Sequence, residues 1–149
     1  MITCTFAGHR QIFGAVSSKI ENALISLLQA DDTLLCYVGG MGEFDALCAA
    51  AVRKLKRDYQ DKNIRLVLVL PYMQNKINEN KEYYETQYDD VLIPLELADV
   101  HYKQAITARN KWLVAHSDYL IAMVWRDFGG AYTTLKYAQK CGKRIISLQ

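Results

Sequence analysis

The chain has 149 residues, 51% of them hydrophobic, with two prolines and a formal net charge of +2. That length suits one ordinary domain with a sizeable core, and the composition excludes a disordered or low-complexity chain. So small a charge argues against nucleic acid as a partner, because binding to a phosphate backbone draws its affinity from accumulated cations.

In chain order, residues 2–7 predict a buried strand that runs into Gly8-His9-Arg10. Residues 12–29 follow as an amphipathic helix, since Val16, Ile20, Ala23, Leu24, Leu27 and Leu28 recur at three- and four-residue spacing. A second strand, 34–38, leads into Gly39-Gly40-Met41-Gly42-Glu43, and a helix over 43–59 comes next. Its acidic start (Glu43, Asp45) and basic end (Arg53, Lys54, Lys56, Arg57) complement the helix dipole. The densest basic group of the chain therefore reads as a solvated helix end. Residues 65–70 form a third, nearly all-apolar strand that Pro71 ends.

Residues 72–90 are polar with Tyr83, Tyr84 and Tyr88 interspersed, compatible with a short helix or with a mobile flap over a crevice. A short strand over 90–95 carries Pro94, which marks a sheet edge or a strand end. A helix over 103–115, the most apolar strand (119–125), a helix over 132–140 and a closing strand (144–148) complete the chain. This alternation predicts an α/β three-layer sandwich with a mostly parallel sheet, one domain over residues 1–149.

The three glycine-bearing loops, after the strands at 2–7, 34–38 and 119–125, fall in matching positions. In an open parallel sheet such loops converge on a crevice that holds ligands. Glycine lets backbone approach a ligand closely, and the following helix offers N–H groups and a positive dipole end to an anion. Together the loops predict a nucleotide-like or phosphorylated ligand. No cofactor is expected. Cys4, Cys36, Cys48 and Cys141 lack paired spacing, and His9, His101 and His116 lack the carboxylate company of a zinc site, so reduced buried thiols and no metal are expected. Residues 1–4 carry no charged leader and no apolar run reaches the ~20 residues of a spanning helix, so no membrane and a cytoplasmic location are expected.

The segments Thr3-Cys4-Thr5-Phe6-Ala7-Gly8-His9-Arg10, Gly39-Gly40-Met41-Gly42-Glu43-Phe44-Asp45 and Arg109-Asn110-Lys111-Trp112 resemble the YpsA-like branch of the SLOG superfamily. Gly129-Gly130, Thr133 and Gly142-Lys143-Arg144 fit the same pattern, in the same order. The resemblance implies a Rossmann-like fold that binds nucleotides or nucleotide-derived ligands, with pairing into oligomers common among relatives. Some relatives are phosphoribohydrolases whose signature resembles Pro-Gly-Gly-x-Gly-Thr-x-x-Glu. Here the matching stretch is 128–136, with Tyr132 at the motif's last glycine and Lys136 at its glutamate. A lysine cannot stabilise an oxocarbenium-like centre as a carboxylate does. Arg109 matches the family arginine. The anion-binding half of the motif is retained and the cleavage half is missing or relocated.

The candidate ligand-binding residues are accordingly Gly8, His9, Arg10, Gly39, Gly40, Met41, Gly42, Glu43, Asp45, Tyr72, Arg109, Asn110, Gly129, Gly130 and Thr133. Arg10 and Arg109 would neutralise phosphate, and Glu43 or Asp45 would accept ribose hydroxyls. Tyr72 would stack on a base. Each has a plainer alternative: a surface ion pair for Arg10, a structural strand end for His9, a helix cap for Asp45 and Thr133, a buried ion pair for Arg109, and turn geometry for the glycines. Three functions remain open. The first is a nucleotide- or ADP-ribose-binding sensor, carrier or sequestering protein. The second is an N-glycosidase using Arg109 with Glu43 or Asp45. The third is a protein–protein regulator whose contact surface is the tyrosine-rich 72–102 segment.

Overall fold

The computed structural model describes residues 1–12 and 14–149. Six strands form one sheet: β1 (Ile2–Gly8), β2 (Thr33–Val38), β3 (Asn63–Val69), β4 (Asp90–Leu92), β5 (Tyr119–Met123) and β6 (Arg144–Ser147). Their spatial order is β4-β3-β2-β1-β5-β6, and every pairing is parallel. The helices are α1 (Ser17–Ala30), α2 (Glu43–Asp58), α3 (Asn75–Glu79), α4 (Lys81–Gln87), α5 (Tyr102–Ala115) and α6 (Gly130–Lys140).

Alternate strand residues feed opposite faces. On one face Cys4, Phe6, Cys36, Val38, Leu66 and Leu68 pack with Ile20 and Leu24 of α1 and with Phe44, Cys48 and Val52 of α2. On the other, Ala7, Leu120 and Ala122 meet Val114 of α5 and Ala138 of α6, while Val67 and Val69 meet Leu113 of α5. Burial on both faces explains why the strands read as nearly continuous apolar runs. This is the Rossmann-like α/β sandwich that the alternation predicts. No helix among the described residues is long and apolar enough to cross a membrane.

Several boundaries differ from the sequence reading. The first helix begins at Ser17 rather than at residue 12. Gly14 sits at φ 88°, which a helix does not allow, and the Ile12 N–H donates to Glu43 Oε2 at 2.7 Å instead of entering a helix. Phe13, inside the predicted helix, lies outside the described residues. The last helix begins two residues early, with Gly129 as its N-cap. The 72–90 stretch folds into α3 and α4. The expectation of four buried thiols holds for Cys4, Cys36 and Cys48, whereas Cys141, at the open end of α6, is exposed. Cys4 and Cys36 are register partners with their sulfurs 3.5 Å apart.

The connectivity places the site. From β1 the chain winds outward through β2, β3 and β4, then returns to lay β5 and β6 on the opposite side of β1. The winding direction reverses between β1 and β5, and a crevice opens outside their carboxyl ends at such a reversal.

Candidate functional site

At that reversal lies a cleft of about 230 Å³. The end of β1 and the loop after it deliver Gly8, His9 and Arg10, the β2–α2 loop delivers Met41, and the first turn of α2 delivers Asp45. Helix α5 contributes Ile106, Arg109 and Asn110, the β5–α6 connection contributes Arg126, and the start of α6 contributes Gly130, Ala131 and Thr134. Eight of the sequence candidates therefore converge: Gly8, His9, Arg10, Met41, Asp45, Arg109, Asn110 and Gly130.

The other seven do not line this cleft. Glu43 is exposed and ties α2 back to Ile12 through its carboxylate. Gly42, the N-cap of α2, leaves room for Arg10, whose Cα would lie 3.0 Å from an added Cβ. Tyr72 is 39% exposed. Gly129 only starts α6, and its carbonyl accepts the Thr133 hydroxyl at 3.0 Å. Thr133 faces a neighbouring hollow between α5 and α6 with Lys111 and Tyr137. Gly39 and Gly40 open onto a separate pocket.

Arg109 is 2% exposed. Its Nη1 donates to the Gly39 carbonyl at 2.9 Å and to the Val69 carbonyl at 2.8 Å, and its Nε donates to Asn110 Oδ1 at 2.9 Å. The guanidinium thus ties α5 to the carboxyl ends of both β2 and β3. Burial pulls its pKa down from the usual arginine value, yet the group stays a cation. An added Cβ at Gly39 would lie 2.9 Å from Arg109 Cζ, so that glycine makes room for the guanidinium rather than for a ligand.

His9, 3% exposed, accepts the Trp125 backbone N–H at Nε2 over 3.3 Å, with the two rings edge to face at 4.9 Å. Burial first, and the Arg126 charge second, lower its pKa. Acceptance at Nε2 puts the ring proton on Nδ1, and the ring fastens the end of β1 to the chain leaving β5.

Asp45 is half-buried and accepts the Met41 N–H at 3.1 Å. Burial raises its carboxyl to about 6, against the opposing pull of that bond, Arg109 and Arg10. The folded protein thus holds this proton more tightly than the unfolded chain does. Stability from the neutral carboxyl is fully present below about pH 4 and is lost as pH rises through about 6. Discounted for its partial exposure, the effect is about 2 kcal/mol. Asp45→Asn is expected to raise the urea midpoint at pH 8 and leave it unchanged at pH 3.5; an equal shift at both values would show that the carboxyl's ionisation is not the cause.

Arg126, Ile106, Ala131 and Thr134 belong to the cleft without having been anticipated. Arg126 lies over the rings of Trp125 and Phe128, at 5.1 and 4.8 Å, and its Nε is buried without a hydrogen-bond partner. It forms no ion pair among the described residues, and the same holds for Arg10. The signal was its place: like Arg10, it stands just past an apolar strand beside a glycine-bearing loop. Thr134, not Thr133, faces the cleft because one residue along a helix turns the side chain by about 100°. Among the described residues no side chain caps the N-terminus of α6, so its first-turn N–H groups point outward beside Arg126. Lys136 is exposed over the Tyr132 ring at 5.8 Å and does not line the cleft. No cluster among the described residues could hold a metal. The cleft therefore offers cations, a helix N-terminus, one carboxyl and one amide, which suits a phosphate attached to a hydroxylated sugar.

The family model YpsA, described as the YspA SLOG family, matches residues 3–144. The chain belongs to this family. In fold it is similar to DNA processing protein A of Helicobacter pylori (16% identity, TM-score 0.66), covering 98% of this chain and 64% of that one. It is also similar to DNA processing protein A of Streptococcus pneumoniae (13% identity, TM-score 0.68), covering 98% of this chain and 50% of that one. The chain thus spans less than two thirds of either protein, and the likeness shows the fold. A search among curated proteins returned no match. The Helicobacter protein has a single-stranded DNA binding mode, which corrects the expectation that small net charge argues against nucleic acid. Net charge averages the whole surface, while a single strand needs only a local groove of cations and stacking rings.

Proposed function

We propose that the chain binds a nucleotide or ADP-ribose-related ligand at the carboxyl ends of β1 and β5 and acts as a sensor, carrier or sequestering protein. One observation carries this reading: the uncapped N-terminus of α6 opens into the cleft beside two arginines, Arg10 and Arg126, that have no ion-pair partner among the described residues. A phosphate there accepts from the first-turn N–H groups and from two guanidinium forks. Asp45 and Asn110, on the α2 and α5 sides, serve ribose hydroxyls. A cleft of about 230 Å³ has room for a ribose phosphate and leaves the base toward its mouth.

Asp45 supports a second reading, an N-glycosidase, because a carboxyl near pH 6 is poised for proton transfer at neutral pH. Native mass spectrometry of the purified chain, then thermal shifts with nucleotides and ADP-ribose, tests both. An intact nucleotide supports the binding protein, and free base plus ribose phosphate supports the hydrolase. Arg126→Ala is expected to weaken nucleotide binding about 10- to 100-fold, the weight of one or two hydrogen bonds to a charged group. Unchanged affinity in that variant would remove the cleft as the site.

A further inference from the structure

Beyond the cleft, the carboxyl ends of β2 and β3 hold a second pocket of about 200 Å³, roofed by α3 and α4. Leu68 and Leu70 line it from the β3 side and Ile77 from α3, and three tyrosines, Tyr83, Tyr84 and Tyr88, form a wall. Tyr84 and Tyr88 lie nearly parallel, 6.1 Å apart at 13°, and Tyr83 meets Tyr84 edge on at 5.2 Å. The set is held in place from behind: the Arg53 guanidinium sits 4.9 Å over the Tyr88 ring while its Nε donates to the Gln87 carbonyl at 2.9 Å. Lys76 lines the same pocket, exposed and without an ion pair among the described residues, and no carboxylate lines it. A flat aromatic group with an anionic neighbour matches this combination, because the rings and apolar side chains take the plane and the lysine takes the charge.

The pocket and the cleft share a wall one residue thick. Gly40 lines the pocket and Met41 lines the cleft, and adjacent Cα atoms are about 3.8 Å apart. Gly40 sits at φ 73°, where an added Cβ would lie 2.7 Å from Leu68 Cδ1, so only glycine lets the chain pass so low between the two spaces. The partition beneath is the Arg109 guanidinium, packed under Gly39.

We propose that this tyrosine pocket is a second base subsite, and that the full ligand carries two bases joined through sugar and phosphate. The proposal rests on the cleft holding the first nucleotide. The phosphodiester crosses the Gly39–Met41 ridge, and the second base stacks against the tyrosine wall with Lys76 at its phosphate. A free dinucleotide and a stretch of single-stranded DNA share that chemistry.

Isothermal titration of the full chain with adenosine monophosphate and with the dinucleotide pApA tests it. The wild-type chain is expected to bind pApA about tenfold more tightly than the mononucleotide, the weight of one stacked base. Tyr83→Ala and Lys76→Ala, both at exposed positions, are each expected to remove most of that gain while leaving mononucleotide affinity and melting temperature unchanged. Equal affinity for the two ligands, or a gain that survives both substitutions, overturns the second subsite and leaves the cleft reading standing. Binding of neither ligand overturns both. Affinity that keeps rising along an oligo(dA) series identifies the source as a strand; affinity that stops rising at two nucleotides identifies a free dinucleotide.

Discussion

Arg109→Ala is expected to destabilise the fold by about 3–5 kcal/mol, from the cavity it leaves and from the lost hydrogen bonds to two buried carbonyls. The substitution takes the guanidinium donor away from the carbonyls of Gly39 and Val69, both buried residues. It also takes away a cation that helps Asp45 to ionise, so the Asp45 carboxyl, already near 6, moves further up. Arg109→Lys recovers only part of the loss, because an ammonium is a point charge and cannot span two carbonyls as a fork does. The measurement is a urea titration of wild type, both variants and Arg126→Ala. A midpoint for Arg109→Ala within the error of wild type would show that the guanidinium does not hold α5 to β2 and β3. Arg126→Ala serves as the contrast, since its stacking on exposed rings leaves little fold to lose.

That contrast changes which residue can report on the ligand. From the sequence, Arg109 and Arg10 are the natural phosphate partners, since both are charged residues on otherwise apolar or loop segments. In the fold, three of the Arg109 nitrogens already have protein partners, Nη2 meeting Met41 Sδ at 3.6 Å. The cleft cations whose side chains form neither an ion pair nor a hydrogen bond among the described residues are Arg10 and Arg126. A loss of nucleotide binding in Arg109→Ala would therefore mix unfolding with lost contact, and Arg126→Ala is the cleaner probe.

The order of strands and helices was legible because each strand is a run of apolar residues between turn signals and each long helix has a spaced apolar stripe. The reversal of winding beside β1 was not, since strand order depends on pairings between residues far apart, such as Phe6 with Ile121. The glycines were legible as close approaches but not in their object. Gly8 makes room for Phe44, Gly39 for Arg109, Gly40 for Leu68 and Gly42 for Arg10, all protein atoms. Gly130 alone of the cleft glycines faces open space. Helices α3 and α4 gave no periodic signal because Ile77 is their only buried residue. The tyrosines of that segment therefore resembled surface decoration, although they form a wall.

The second large effect is expected at Gly8. A Cβ there would lie 2.2 Å from Phe44 Cγ and 2.3 Å from its Cδ2, far inside contact distance. Neither side can yield easily. Gly8 sits at the end of the central strand, with β5 beside it through the Gly8–Met123 pair. Phe44 is 1% exposed on the first turn of α2, and that turn is pinned to the β1 loop by the Glu43 N–H to Arg10 carbonyl bond at 3.0 Å. Gly8→Ala is therefore expected to cost about 3 kcal/mol, the upper end of overpacking in a well-filled core. It should also displace Arg10, which follows two residues later in the cleft. Phe44→Leu shortens the obstructing ring and is expected to cost about 1–2 kcal/mol alone by leaving a void. In the double variant the new methyl occupies part of that void, so the two losses should fall well short of adding. Urea midpoints for the two single variants and the double variant close the cycle. Strictly additive losses would mean that Gly8 is required for its backbone alone, and that the Phe44 ring does not set the floor on which Arg10 stands.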